Sequence, residues 1–380
     1  MQQPPLTSPF VDLFLELCSI PSPPGEERAV ADRVGQELDR LGLAWREDDA
    51  AARLGSGTGN IVCRIPATAD EGVPLMFCAH LDTVPVEGAL EPSLDEDGVI
   101  RNTGGAILGA DNKSAVVAML EAVRRIVVEE HPHAGIELVF TPKEEIGLLG
   151  ATELDVSQLR ARVGFVYDQA APIGEVVVGA PSAQELVLRF HGRPSHAGMY
   201  PEEGRSAILA AARAIVDMPL GRIDDYTSAN VGLIGGGSTR NIVPEWCELQ
   251  AEVRSHDFAR VSEVVQHIVD AAAYAAAVSD CTLETAIEPK YRGYRLRSDS
   301  LPVRLAGDGL RNAGYEPRLV LSGGAADANV FNERGLPCVN LANGMVDIHT
   351  PDERIAVEDL ERMVDVTLGI VDAALRPLED

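Results

Sequence analysis

The stretch Leu75-Met76-Phe77-Cys78-Ala79-His80-Leu81-Asp82 opens with five apolar residues and then offers an imidazole and a carboxylate. An apolar run without alternation describes a strand covered on both faces, as in the middle of a parallel sheet. Polar groups directly after such a strand stand at its carboxyl end, the edge along which open α/β sheets bind their ligands. This one stretch therefore suggests both a layered fold and the place to look for a site.

Outward from it, apolar runs alternate with helical periods. Phe10–Cys18, Ala29–Leu41 and Ser114–Val128 read as helices, while Asn60–Ile65, Pro74–Ala79, Ile136–Phe140 and Val163–Tyr167 read as strands. That order predicts an α/β fold, with a mostly parallel sheet sandwiched by helices. The texture changes near residue 183. Glu185–His191, Asn230–Ile234 and Glu248–Ser255 alternate polar with apolar, and Arg205–Val216 and Val261–Val278 are helical. This is the pattern of an antiparallel sheet carrying helices on one face. After about Arg295 the buried-strand style resumes in Arg318–Leu321 and Pro337–Leu341, and a helix near Val357–Ala374 closes the chain. The expected organisation is an α+β domain, 183–295, inserted between two parts, 1–182 and 296–380, of one α/β domain.

The 380 residues carry 59 acidic against 32 basic side chains, a formal net charge of −27. Residues 183–295 hold 15 acids and 11 bases, so most of the excess lies in the flanking parts. Such a chain repels phosphate backbones and anionic lipid, so neither nucleic acid nor membrane is an expected partner. The six cysteines form no C-x-x-C pair, as suits reduced, buried thiols. The apolar stretch Phe10–Leu17 carries Asp12 and Glu16 and follows no basic segment, unlike a signal peptide. The expected location is the cytoplasm.

Metal-capable side chains cluster after the strands. His80 and Asp82 follow one, Glu144 and Glu145 another, and Asp168 a third, while Asp111 precedes a helix and His349 lies in a loop before the last one. Each has a plainer reading alone: an aspartate before a helix is usually its cap, and a Glu-Glu pair is usually a solvated turn. Together, two imidazoles and three or four carboxylates suit Zn²⁺, Co²⁺ or Mn²⁺. A single catalytic zinc takes three protein ligands, so five candidates point to two ions sharing a carboxylate, an arrangement suited to amide hydrolysis. Neighbouring side chains diverge, so Glu144 and Glu145 divide the roles of base and ligand.

The blocks C-A-H-L-D-T-V-P (Cys78–Pro85), G-A-D-N-K (Gly109–Lys113) and K-E-E-I-G (Lys143–Gly147), in this order, resemble the dinuclear metallopeptidases of the peptidase T, carboxypeptidase and aminoacylase family. Tyr167-Asp168, G-R-P-S-H-A-G (Gly192–Gly198), the stretch Asp327–Pro337 and I-H-T-P (Ile348–Pro351) extend the likeness over residues 10–375. The nearest branch is the peptidase T-like, or tripeptide aminopeptidase-like, one. The resemblance implies a zinc-exopeptidase-like fold whose inserted domain serves dimerisation and acts as a lid. It makes Asp111 the bridging carboxylate, with His80 and Asp168 completing one metal site and Glu145 and His349 the other, Zn²⁺ foremost. Glu144 becomes the general base for the bridging water, and Asp82 the group that orients the imidazole of His80. The inserted domain would lend His196 to its partner's active site as an oxyanion donor, and Asn241 would contact substrate. Arg254 could clamp a substrate carboxylate.

Ala326 departs from the family, which often has serine there, and Ser195 lacks the surroundings of an activated nucleophile. Lys113 and Lys143, two of three lysines, abut ligand blocks and are read as offsetting neighbouring carboxylates. The expected protein is a two-metal exopeptidase acting on short peptides, as a homodimer formed through residues 183–295. An N-acyl-amino-acid deacylase or a carboxypeptidase is the alternative, and a catalytically silent metal-binding or scaffold protein a remoter one.

Overall fold

The computed structural model describes residues 8–376. The chain forms two compact units. One comprises the residues up to Gly179, Arg295–Ser322 and those from Ala326 onward; the other is Ala180–Tyr294 with Gly323–Ala325.

The first unit is built on a sheet in the order Trp45–Glu47, Ile61–Ile65, Ile136–Thr141, Leu75–His80, Val163–Gln169, Cys338–Ala342, Glu175–Ala180. The pairings among Ile136–Thr141, Leu75–His80, Val163–Gln169 and Cys338–Ala342 are parallel. Those of Ile61–Ile65 with Ile136–Thr141 and of Cys338–Ala342 with Glu175–Ala180 are antiparallel. The sheet is thus parallel in its centre, where the candidate ligands emerge, and mixed at its margins. Every residue of Leu75–His80 is buried, and alternate side chains serve different layers. Phe77 and Ala79 join the main core with helices Ala110–Val128 and Val357–Ala374, while the Cys78 thiol reaches Asp327 at the start of the short helix Asp327–Glu333. Helices on both faces explain why this strand is apolar throughout. Arg318–Leu321 corrects the reading of a buried strand: Arg318 and Leu319 are exposed, because the strand pairs with Glu175–Ala180 outside the main run.

The second unit is an antiparallel sheet in the order Gly221–Asp224, Thr227–Gly236, Trp246–Ser255, Ser182–His191, Thr282–Tyr291. Leu186, Leu188 and Phe190 alternate inward to meet Ala210, Ala214, Val261 and Ile268 of the helices Ala207–Asp217 and Phe258–Val278. Ser206 and Asp257 cap these helices through their side chains. The glycine triplet Gly235–Gly237 ends a strand: Gly235 and Gly236 pair with Glu248 and Cys247, and Gly237 turns out of it at φ 74°.

Candidate metal centre

His80 ends its buried strand, and its ring is fixed at the far nitrogen. Nδ1 donates to the main-chain carbonyl of Asp82 at 2.9 Å. A carbonyl only accepts, so Nδ1 carries a hydrogen, and Nε2 is the nitrogen left to face Asp111 and Asp168. Nε2 lies 3.2 Å from Asp111 Oδ1 and 3.7 Å from Asp168 Oδ1. His349 mirrors it, with Nε2 at 3.3 Å from Asp111 Oδ2 and 3.1 Å from Glu145 Oε1. Each oxygen of Asp111 therefore faces its own histidine, and each histidine has a second carboxylate beside it.

These spacings suit a metal. Two ligands on a tetrahedral ion with bonds of about 2.0–2.1 Å lie roughly 3.3 Å from each other, close to the histidine–carboxylate separations found here. Donor atoms of His80, Asp111 and Glu145, and of His80, Glu144 and Asp168, also converge within 4.8 Å of one another. Two imidazoles and hard carboxylate oxygens form a donor set for Zn²⁺, Co²⁺ or Mn²⁺.

The charges in this cluster shift one another strongly. Burial lowers the proton affinity of His80, but its contacts with Asp111, Asp168 and Asp82 more than offset that and hold it well above the usual imidazole range. Asp111 first and then Glu145 lift His349 to about 10. Burial pushes Asp111 up, yet His349 and His80 pull it down further, so it stays ionised. Burial, with the charge of Asp168 next, raises Glu144 well above the carboxylate range. A carboxyl group with high proton affinity beside a ligand cluster has the character of a general base and acid.

Asp82 acts on the site through both its main chain and its side chain. Its carboxylate is 3.5 Å from His80 Nδ1, too far for a good hydrogen bond, and is occupied elsewhere: Oδ1 accepts the Glu144 N–H at 2.9 Å and Oδ2 the Glu145 N–H at 3.1 Å. The main chain of Asp82 orients the imidazole, and its side chain holds the Glu144–Glu145 turn. Asp111 departs from the cap reading. It is non-helical at φ −81°, ψ 101°, and its carboxylate faces the histidines. Lys113 and Lys143 donate to the carbonyls of Ile20 at 2.7 Å and Leu54 at 2.5 Å, and the charge of Lys113 also acts on buried Glu353.

Other groups, beyond those the sequence motifs mark, hold the candidate ligands by their main chains. Asn340 accepts the Asp168 N–H at 2.8 Å and donates to its carbonyl at 2.9 Å, extending the sheet by a side chain. Buried Glu27 accepts from Gly25, Lys143 and Ser56, tying an early loop to the base of the Glu144 turn. Glu353 accepts the N–H groups of Gly109 and Asp111. Proximity in sequence could have drawn attention to Glu353, four residues after His349; Asn340 and Glu27 carry no such signal.

The remaining candidates belong to the second unit. His196 and Ile242 form an isolated bridge, and Ala197 donates to the carbonyl of Asn241, so the His196 and Asn241 loops run side by side. His196 Nδ1 accepts from Gly198 and Met199 at 3.2 and 3.1 Å, which leaves Nε2–H as the outward donor of the exposed ring. Asn241 accepts the Thr239 hydroxyl, and Arg254 is engaged bidentately by Glu252 at 3.0 Å on both contacts.

Comparison with known proteins gives this geometry a family. Residues 178–279 match a peptidase dimerisation domain, and residues 60–171 match peptidase family M28. The chain is 35% identical to the uncharacterized protein YqjE of Bacillus subtilis, over 97% of this chain and 98% of that one. Among solved structures, a tripeptidase from Staphylococcus aureus aligns with a TM-score of 0.91 at 36% identity, covering 97% and 98% of the two chains. The aminopeptidase PepT from Bacillus cereus aligns at 0.86 and 35% identity with the same coverage. The chain belongs to the peptidase T-like branch of the M20 metal-dependent exopeptidases.

Proposed function

We propose that this protein is a two-metal aminopeptidase of tripeptidase type, releasing residues from the free amino end of short peptides. The observation that carries the reading is Asp111, whose two oxygens face two histidines, each backed by a further carboxylate. His80, Asp111 and Asp168 would hold one divalent cation and His349, Asp111 and Glu145 the other, with Zn²⁺ the first candidate and Co²⁺ or Mn²⁺ next. Bound there, the pair would supply Lewis-acid polarisation of a carbonyl and a lowered pKa for water. The chain's own residues do the rest. Glu144 takes a proton from the attacking water and returns it to the departing amine, a transfer its raised proton affinity favours. Asp82 keeps Glu144 on station through the main chain.

In the second unit, exposed His196 presents an Nε2–H suited to an oxyanion, in the active site of a partner subunit. We assign Asn241 to substrate contact and Arg254 to a substrate carboxylate, for which Arg254 must exchange its Glu252 partner. A homodimer through residues 183–295 accords with the dimerisation-domain match and with exposed Leu233 and Ile234 on the strand Thr227–Gly236. Six free, buried cysteines suit a reducing cytoplasm, and no helix among the described residues is long and apolar enough to cross a membrane.

The test is hydrolysis of di- and tripeptides with free or blocked amino termini, and of N-acyl amino acids, after loading with each metal. Cleavage confined to free amino termini is expected. Preference for acylated substrates would instead establish a deacylase, and release from the carboxyl end a carboxypeptidase. No turnover on any of them would favour the silent scaffold.

A further inference from the structure

We propose that Glu353 is a positioning residue for the shared aspartate, setting both metal sites at once; the inference rests on the two-metal reading above. Its carboxylate spans two main-chain donors, Oε2 on the Gly109 N–H at 2.7 Å and Oε1 on the Asp111 N–H at 2.9 Å. Glu353 is 1% exposed, and no lysine, arginine or histidine lies within ion-pair distance of it among the described residues. A buried carboxylate is costly to desolvate; besides these N–H groups, the Lys113 ammonium acts on it from beyond ion-pair distance. An ordinary helix start would satisfy these donors with a local serine or aspartate.

The backbone explains why a local group does not serve here. Gly109 is left-handed at φ 77°, and Asp111 and Asn112 are both non-helical, so the first turn of Ala110–Val128 is open and no local side chain caps it. Glu353 closes it from 242 residues away. The same short segment also carries His349, whose Nε2 lies 3.3 Å from Asp111 Oδ2. Residues 349–353 thus hold Asp111 at both ends, the side chain through His349 and the main chain through Glu353. Asp82 does the equivalent for Glu144 and Glu145 with two N–H bonds of its own. Because Asp111 is shared, an error in its placement reaches both ions. A cap that only stabilised the helix would leave metal affinity alone.

The experiment is zinc titration of the full-length, metal-stripped protein against a chromophoric competitor, with thermal unfolding of the same samples. Wild type should take two equivalents. Glu353→Gln should keep a folded metal-free state yet bind both equivalents roughly 10–100-fold more weakly, the usual cost of a lost supporting partner. Wild-type affinity for both ions in Glu353→Gln, whatever its melting temperature, would reduce Glu353 to a cap and overturn the proposal. So would weakening of one ion alone. Should the glutamine variant not fold, Glu353→Asp, which keeps the charge and shortens the reach, must show the same paired loss. A wild type binding one equivalent would bring down the two-metal reading itself, and this inference with it.

Discussion

The two histidines that face Asp111 stand on different ground. His80 ends a strand in which every residue is buried, is itself 2% exposed, and has its rear nitrogen fixed by a carbonyl. His349 sits in a loop at a left-handed φ of 63°, its side chain 44% exposed, and is held through the carboxylates of Asp111 and Glu145. One imidazole is placed by the sheet; the other is placed largely by the carboxylates beside it. On the proposed reading, the His80 half should bind the tighter metal and the His349 half the more exchangeable one.

The largest expected effect is that of the base. Glu144→Ala should lower turnover by about 10²–10⁴-fold or more, the range for a lost general base, with metal content at the wild-type level by elemental analysis. Normal turnover would remove Glu144 from the chemistry. Next come the ligands themselves. His349→Ala should retain one tight equivalent of zinc and lose the weaker, whereas His80→Ala should lose the tight one, by more than the roughly 10–100-fold of a missing supporting group. Equal losses in the two variants would erase the proposed asymmetry.

That asymmetry explains what could be read from the sequence. Leu75–Ala79 announced a central strand because burial on both faces leaves no polar residue in it, and His80, Asp168 and the Glu144 turn were legible as groups following strands. The supports were not legible, because they act on main chain across long separations: Asn340 on Asp168, Glu353 on Asp111, and the Asp82 side chain on the Glu144 turn. The helix Leu301–Asn312 is not legible in the sequence because Gly307 and Gly309 interrupt its period. Gly309 is a packing requirement, since a Cβ there would lie 2.3 Å from Ile370. The strand Thr282–Tyr291 was hidden for the opposite reason, being largely exposed and without an apolar run.

Asp82 offers a finer cut within the well-anchored half. Asp82→Asn removes one acceptor from the Glu144–Glu145 turn but leaves the carbonyl that orients His80. Turnover should fall by about 10–100-fold while the tight metal keeps close to wild-type affinity. Loss of that metal would instead show that the carboxylate, and not the main chain, governs the imidazole.

The smallest effect concerns the exposed half and its protons. In the metal-free protein His349 titrates at about 10, first because of Asp111 and then Glu145. A histidine whose folded value lies above the unfolded one, near 6.5, stabilises the fold fully below that pH and loses its contribution as pH rises through about 10. The metal-free protein should therefore melt at progressively lower temperature across this window, and His349→Ala should flatten the slope. Exposure at 44% lets solvent and salt screen the pair, so the change is modest and shrinks as salt is added. A bound cation demands a neutral imidazole, so zinc uptake near pH 8 should release protons into a weak buffer, and apparent affinity should climb with pH. The metal-loaded protein, its histidine already deprotonated, should lack the slope. If metal-free wild type and His349→Ala melt in parallel between pH 6.5 and 10, the carboxylates do not hold His349 as these contacts indicate, and the loop half of the site is looser still.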